Sequence, residues 1–190
     1  MRGVALSLVV AGGVAVGFGL GLGWLDRGQP SDTATIPKRT VTFAFQSKSA
    51  AIRFLGKGWS APEPWGVWSV GPRAELAIPI RERLEGDVTI SIEAQAYVAP
   101  PQLEGQTVIV EANGTEITKL SYGRSDKQRV TRLVTVPRDV AARLNPIRIA
   151  FNILTPRSPA ELGLGRDDRK LGIGLQALTL TFPSAEIYVE

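Results

Sequence analysis

Apolar and polar side chains alternate along residues 87–97 over eleven positions. A period of two is the pattern of a β-strand with one buried face. The apolar positions of this run are Val88, Ile90, Ile92, Ala94 and Ala96. The run therefore predicts a long strand that covers a hydrophobic core.

Further runs with β character are separated by turn residues. They occupy residues 41–45, 74–80, 106–112, 115–120, 129–136, 147–154 and 171–182. Asn113-Gly114 between two of them is a strong hairpin signal. Only residues 137–144 predict a helical turn, which Asn145-Pro146 ends. The predicted fold class is all-β, a two-sheet jelly-roll-like sandwich of roughly eight to ten strands over residues 41–190.

Residues 3–25 carry no charged side chain, and such a stretch is long enough to cross a bilayer as a helix. We predict an uncleaved N-terminal transmembrane anchor at residues 1–28 and a polar linker at residues 29–40. A cleavable signal peptide is the alternative, but no A-x-A cleavage site follows the stretch. A short N-terminus normally stays inside, so the C-terminal domain would be exported.

The apolar stretch is rich in glycine at a spacing of four, which lets a second membrane helix approach closely. The glycines of the two overlapping series are Gly13, Gly17, Gly21, Gly19 and Gly23. They predict packing against a membrane protein partner. The alternative is that they reflect the general frequency of glycine in membrane helices.

The chain contains neither cysteine nor histidine. Disulfides, thiol chemistry, a Ser-His-Asp triad and the common zinc sites are therefore excluded. The formal net charge is +4, but the basic residues are scattered and no nucleic-acid-binding motif is present. We predict no cofactor and no nucleic-acid partner.

Residues 58–71 contain Trp59, Trp65 and Trp68, with the carboxylate of Glu63 among them. Trp65 and Trp68 flank Gly66, so we do not expect their rings to stack from one strand face. Two interpretations are open. The rings form a platform that holds a sugar beside the carboxylate, or they are a structural plug that closes one end of the sandwich.

The second motif is a long loop at residues 155–174, between two predicted strands, where function often lies. Its candidate ligand-binding residues are Arg166, Asp167, Asp168 and Arg169. The two aspartates together could hold a hard cation such as Ca²⁺. The simpler interpretation is a loop pinned by its own ion pairs, such as Asp168 with Arg157 or Glu63 with Arg169.

Glu63 links the two motifs in two alternative ways. It could face Arg169 or Arg166 if jelly-roll connectivity brings the two loops together. It could also form a general acid/base pair with Asp167 or Asp168, as in glycoside hydrolysis. The tryptophans would wall a composite feature in the first case and a catalytic cleft in the second.

The two motifs together resemble an uncharacterised β-sandwich domain. They are G-W-S…E-x-W-G-V-W-S-x-G at residues 58–71 and S-P-x-E-L-G…D-D-R-x-L-G-I-G at residues 158–174. That domain occurs in bacterial membrane proteins of cell-surface polysaccharide assembly, often fused to multi-spanning glycosyltransferases. The resemblance covers roughly residues 52–182 and implies a sandwich similar to galactose-binding and carbohydrate-binding modules.

The resemblance implies an accessory role, because this chain has one apolar span and no catalytic membrane domain. We predict a non-catalytic, membrane-anchored protein whose sandwich binds glycan or a membrane glycosyltransferase. Its location would be the bacterial inner membrane, single-pass, with the C-terminal domain in the periplasm. The alternatives are a purely structural subunit of a membrane complex and a carboxylate-based glycosidase. The predicted ligand-binding residues are Trp59, Glu63, Trp65, Trp68, Arg166, Asp167, Asp168 and Arg169.

Overall fold

The computed structural model of the chain describes residues 33–35, 38–81, 84–183 and 186–188. Its secondary structure is nearly all β, with one short helix, α1 (Arg138–Ala141), and two 3-10 turns at Ala50–Phe54 and Arg124–Lys127. The strands are β1 (Thr33–Thr35), β2 (Arg39–Ala44), β3 (Val67–Val70), β4 (Arg73–Ile78), β5 (Val88–Ala96), β6 (Gln106–Ala112), β7 (Thr115–Tyr122), β8 (Val130–Val136), β9 (Ile147–Ile153), β10 (Leu171–Phe182) and β11 (Glu186–Tyr188).

The strands form two antiparallel sheets and one small pair. Sheet I has the order β2-β10-β5-β8, and β3 also pairs with β10. Sheet II has the order β4-β9-β6-β7, and β1 pairs with β11. With β2 and β3 counted as one interrupted strand, this is the strand order of a jelly roll. The predicted all-β two-sheet sandwich is confirmed.

The core lies between the two sheets and follows from the alternation in the sequence. All five apolar positions predicted for the 87–97 run are buried, while Thr89, Ser91 and Glu93 of β5 lie on the outer face of sheet I. Phe151 on β9 supplies a fully buried aromatic ring from sheet II. The hydrophobic face of each strand therefore determines which side of its sheet meets the other.

The predicted hairpin at Asn113-Gly114 is present and joins β6 to β7. The two residues have φ angles of 48° and 82°, as a type I′ turn requires. The Asn113 side chain also accepts a hydrogen bond from the backbone N–H of Arg148. The helical turn is shorter than predicted. It ends at Ala141, whereas the sequence predicts a turn that continues to residue 144 and ends at the Asn145-Pro146 step.

The segment of residues 58–71 departs from its predicted loop structure, because its second half is strand β3. Proline and glycine obscured this strand in the sequence. Gly58 has a φ of 82°, and a Cβ there would lie 1.9 Å from the carbonyl oxygen of Arg73. Only glycine permits the chain to turn so close to β4 before it joins sheet I.

The predicted membrane anchor and its glycines at positions 13–23 lie outside the described residues. Within the described ranges, no helix is long and apolar enough to cross a bilayer. The predicted linker, residues 29–40, overlaps β1 and the first residues of β2.

Candidate functional site

The three tryptophans of residues 58–71 lie in two different environments. The Trp59 indole N–H donates a 2.7 Å hydrogen bond to the carbonyl oxygen of Glu75. Its ring packs edge-to-face on the buried ring of Phe151, with centroids 5.9 Å apart. Trp59 is therefore a structural plug that belongs to the core, in line with one of the two sequence interpretations.

Trp65, Trp68 and Tyr97 form a half-buried aromatic patch on the outer face of sheet I. The centroids of Trp65 and Trp68 are 5.1 Å apart, and those of Trp68 and Tyr97 are 6.2 Å apart. Both pairs are edge-to-face, an arrangement that aromatic rings prefer. Trp68 comes from β3 and Trp65 from the turn before it, so the two rings make contact without sharing one strand.

A glycine on β10 allows Trp65 to lie close to the sheet. A Cβ at Gly174 would be 2.6 Å from Cη2 of Trp65, a distance that real Cβ contacts do not show. Gly174 is opposite Trp68 on one side and Gln95 on the other. The aromatic patch is therefore built into the strand pairing of sheet I.

Glu63 fixes the orientation of the Trp65 ring. Its Oε2 accepts a 2.8 Å hydrogen bond from the Trp65 indole N–H. The backbone of Glu63 and Gly66 exchanges two hydrogen bonds, of 2.7 and 3.2 Å, which close a tight turn. Pro62 and Pro64 flank the glutamate and restrict its backbone.

The loop of residues 155–170 brings a second charged group to the patch. Arg169 donates to both carboxylate oxygens of Asp167, with its Nη2 2.6 Å and its Nε 3.0 Å from them. Nη1 of Arg169 lies 4.0 Å from Oε1 of Glu63, so the predicted ion pair between Glu63 and Arg169 is confirmed. The guanidinium thus links the loop to the turn that carries Trp65.

This ion pair changes the electrostatics of both the loop and the patch. The hydrogen bonds from Arg169 hold the pKa of the Asp167 carboxyl below its ordinary value. Partial burial, and then the negative charge of Asp167, raises the pKa of the Tyr97 phenol. Tyr97 therefore remains a neutral donor beside a permanently ionised pair at neutral pH.

The loop is held by its own hydrogen bonds. Ser158 and Glu161 form a reciprocal pair, in which each side chain accepts from the backbone N–H of the other. Lys170 forms a 3.1 Å ion pair with Glu161, and the backbone of Arg157 pairs with Leu171 at the start of β10. The predicted self-pinned loop is present, and of the two ion pairs predicted for it the structure shows Glu63 with Arg169.

The remaining predicted site residues, Arg166 and Asp168, form no hydrogen bond or ion pair with the patch among the described residues, although Asp168 lies close enough for its charge to act on Arg169. Arg166 and Asp168 are exposed, and the described residues include no ion pair between Asp168 and Arg157. Within the described part of the chain, no three carboxylates come together to hold a metal ion, so the calcium interpretation gains no support. Glu63 and Asp167 both accept hydrogen bonds from neighbouring side chains.

Tyr97 is the site residue that the sequence analysis missed. The signal was available, because Tyr97 follows the polar, outward-facing positions of the 87–97 run. What the sequence did not show was that β3 pairs with β10 beside β5. That pairing places Trp68 next to Tyr97.

A family model matches residues 31–182, which is most of the chain and includes the aromatic patch and the loop. The chain belongs to the DUF7024 family. The family is described as a domain of unknown function. No curated protein matches this DUF7024 chain.

Several solved structures are similar to the DUF7024 sandwich at low sequence identity. Dimeric latent PorU from Porphyromonas gingivalis is 11% identical with a TM-score of 0.49, and the match covers 85% of this chain but only 14% of PorU. The xylan-binding module CBM15 is 13% identical with a TM-score of 0.44, covering 80% of this chain and 97% of the module. A mutant of the carbohydrate-binding module CBM29-2 is 11% identical with a TM-score of 0.44, covering 76% and 92%.

Proposed function

We propose that this DUF7024 domain is a non-catalytic glycan-binding module, with the aromatic patch of Trp65, Trp68 and Tyr97 as its binding surface. The observation that carries the proposal is the half-buried cluster of three rings beside the ion pair of Asp167 and Arg169. Aromatic rings offer an apolar surface to the C–H face of a sugar, and the charged groups offer hydrogen bonds to its hydroxyls.

The patch is suited to this role because its members are already fixed. Glu63 orients Trp65, β3 carries Trp68, and Asp167 holds Arg169. Few side chains would have to lose conformational freedom on binding, which is the main entropic cost at a recognition surface. The Gln95 side chain lies on the same face and adds an amide next to Gly174.

The proposal extends to location and partners. Residues 1–28 would anchor the protein in a bacterial inner membrane, with the sandwich in the periplasm. The glycine series at positions 13–23 would pack on a membrane protein, such as a glycosyltransferase of polysaccharide assembly. The uncharged stretch and the glycine spacing in the sequence support this part. Unchanged partner co-purification after Gly17→Leu would refute it.

A structural subunit without glycan affinity is the second candidate. Tryptophan, tyrosine and arginine also dominate the centres of protein–protein interfaces. The aromatic patch with Arg169 would then dock on a protein partner.

Glycan binding by the full-length protein distinguishes the two candidates. Glycan-array or affinity-gel binding should weaken more than about tenfold in Trp65→Ala and in Trp68→Ala, a loss of about 1.4 kcal/mol. Circular dichroism confirms that each variant is folded. The matched control is Leu133→Ala, which removes a 69% exposed apolar side chain from β8, on the same outer face.

Each outcome is informative. Binding that persists in both tryptophan variants excludes the patch as the glycan site. Absence of glycan binding, together with co-purification of a membrane partner that Trp68→Ala disrupts, identifies the structural subunit instead.

A further inference from the structure

A second concave surface lies where the sheets separate, at the edge formed by β2. This seam groove has a volume of about 280 Å³ and is lined by β2, the Ala50–Phe54 turn, residues 79–81 after β4, and the C-terminal end of β10. The volume lies close to the lower limit of ligand pockets, about 300 Å³. It opens at the C-terminal end of β10, whereas the aromatic patch lies over its first half.

The floor of the seam groove is apolar and partly aromatic. Phe43 of β2 and Phe54 pack edge-to-face, with ring centroids 5.4 Å apart. Val41, Ile80 and Phe182 complete the apolar surface. Val41, Phe43 and Phe54 are only partly buried although they pack against the core, so the groove leaves core-type side chains accessible.

The groove also carries three exposed arginines, Arg39, Arg53 and Arg81. None of the described residues that line it is acidic. The Arg53 guanidinium lies 4.8 Å from the Phe54 ring centroid, a cation–π contact that holds it above the apolar floor. Within the described ranges, neither Arg53 nor Arg81 forms an ion pair.

We propose that the seam groove binds an anionic membrane phospholipid. The headgroup phosphate pairs with Arg53 and Arg81, and part of one acyl chain covers Phe43 and Phe54. Guanidinium groups bind phosphate oxygens in a bidentate manner. Burial of acyl-chain methylenes on the apolar floor removes them from water, which favours binding.

A ligand with both parts matches the apolar floor and the arginines of the groove. A soluble phosphate would leave the aromatic floor exposed to water, and a neutral lipid would leave Arg53 and Arg81 without an anion. The inference does not depend on glycan binding, because it uses none of the residues of the aromatic patch.

Native mass spectrometry of the delipidated full chain in detergent tests the proposal. Dioleoylphosphatidylglycerol should bind the wild type at least tenfold more tightly than dioleoylphosphatidylcholine. Arg53→Gln combined with Arg81→Gln should lose this preference, because the phosphate partners are gone. The matched control, Arg148→Gln with Arg157→Gln, also removes two exposed charges, but from outside the groove, and should keep the preference.

All variants share the N-terminal segment, so lipid bound there cancels in the comparison. Hydrogen exchange gives a second measurement: phosphatidylglycerol should slow exchange in residues 39–45 and 50–55 of the wild type. Equal binding of the two lipids, an unchanged groove variant or an equal loss in the control variant would each overturn the proposal. Full displacement by soluble glycerol phosphate would show that the phosphate alone is bound, which also overturns it.

Discussion

The hydroxyl of Tyr122 is a buried polar group without a hydrogen-bond partner among the described residues. Its side chain lies under the Arg132 guanidinium, which is 5.3 Å from the ring centroid. Burial raises the pKa of Tyr122 from its ordinary value of 10.0 to about 12. An unsatisfied buried hydroxyl costs about 1–3 kcal/mol, so this residue reduces the stability of the sandwich.

We expect Tyr122→Phe to increase the free energy of unfolding at neutral pH by about 1 kcal/mol. It should also remove a loss of stability at alkaline pH. Between pH 10 and 12 the native state keeps the phenol proton while the unfolded chain releases it, so wild-type stability falls as the pH rises. A rise in the pKa from 10.0 to about 12 corresponds to roughly 3 kcal/mol of stability lost over that window.

Urea unfolding of both proteins at pH 8 and at pH 11 measures this difference. Other groups titrate in the same window in both proteins, so the difference between the two curves isolates Tyr122. A difference that stays constant with pH would contradict the assigned pKa.

Among the elements, the loop of residues 155–170 contains an ionised carboxylate, Asp167, that accepts hydrogen bonds from the Arg169 side chain. Its folded pKa lies below the ordinary value, so the stabilisation is present above the ordinary pKa and is lost as the pH falls through the folded one. We expect the Asp167 carboxyl carbon to titrate in NMR below the usual aspartate range. In Arg169→Gln the midpoint should return toward that range, because the donor responsible is gone.

Equal midpoints for Asp167 before and after Arg169→Gln would show that the ion pair does not control the loop.

The sequence predicts those elements that alternation and turn chemistry determine locally. β6 and β10 have the predicted bounds, and β5 and β9 are each within one residue of theirs at both ends. β3 was not predicted, because a four-residue strand between glycines and prolines has no local signature and forms by pairing with β10. The same long-range pairing explains why Trp59 separates from Trp68 and why Tyr97 was missed.

At the scale of the molecule, β10 connects two surfaces that share no residue. Gly174 under the aromatic patch and Phe182 in the seam groove lie eight positions apart on this strand, roughly 26 Å at about 3.3 Å per residue. We expect Trp68→Ala and Arg53→Gln to have additive effects on the free energy of unfolding, within about 0.5 kcal/mol.

Trp65 and Trp68 provide the contrasting pair, because their rings are in contact. Their double variant should deviate from additivity by about 0.5–1.5 kcal/mol. Denaturant unfolding of the wild type and of the single and double variants measures the coupling free energy of both residue pairs. Strong coupling between Trp68 and Arg53 would mean that β10 transmits strain between its ends.

The central position of β10 has a geometric consequence. It pairs with β2, β3 and β5, so it cannot lengthen or bend without disrupting three partners. With a lipid bound at one end and a sugar at the other, the strand would fix the distance between the two ligands. The number of residues between Gly174 and Phe182 would then set the height above the bilayer at which a polysaccharide chain is held.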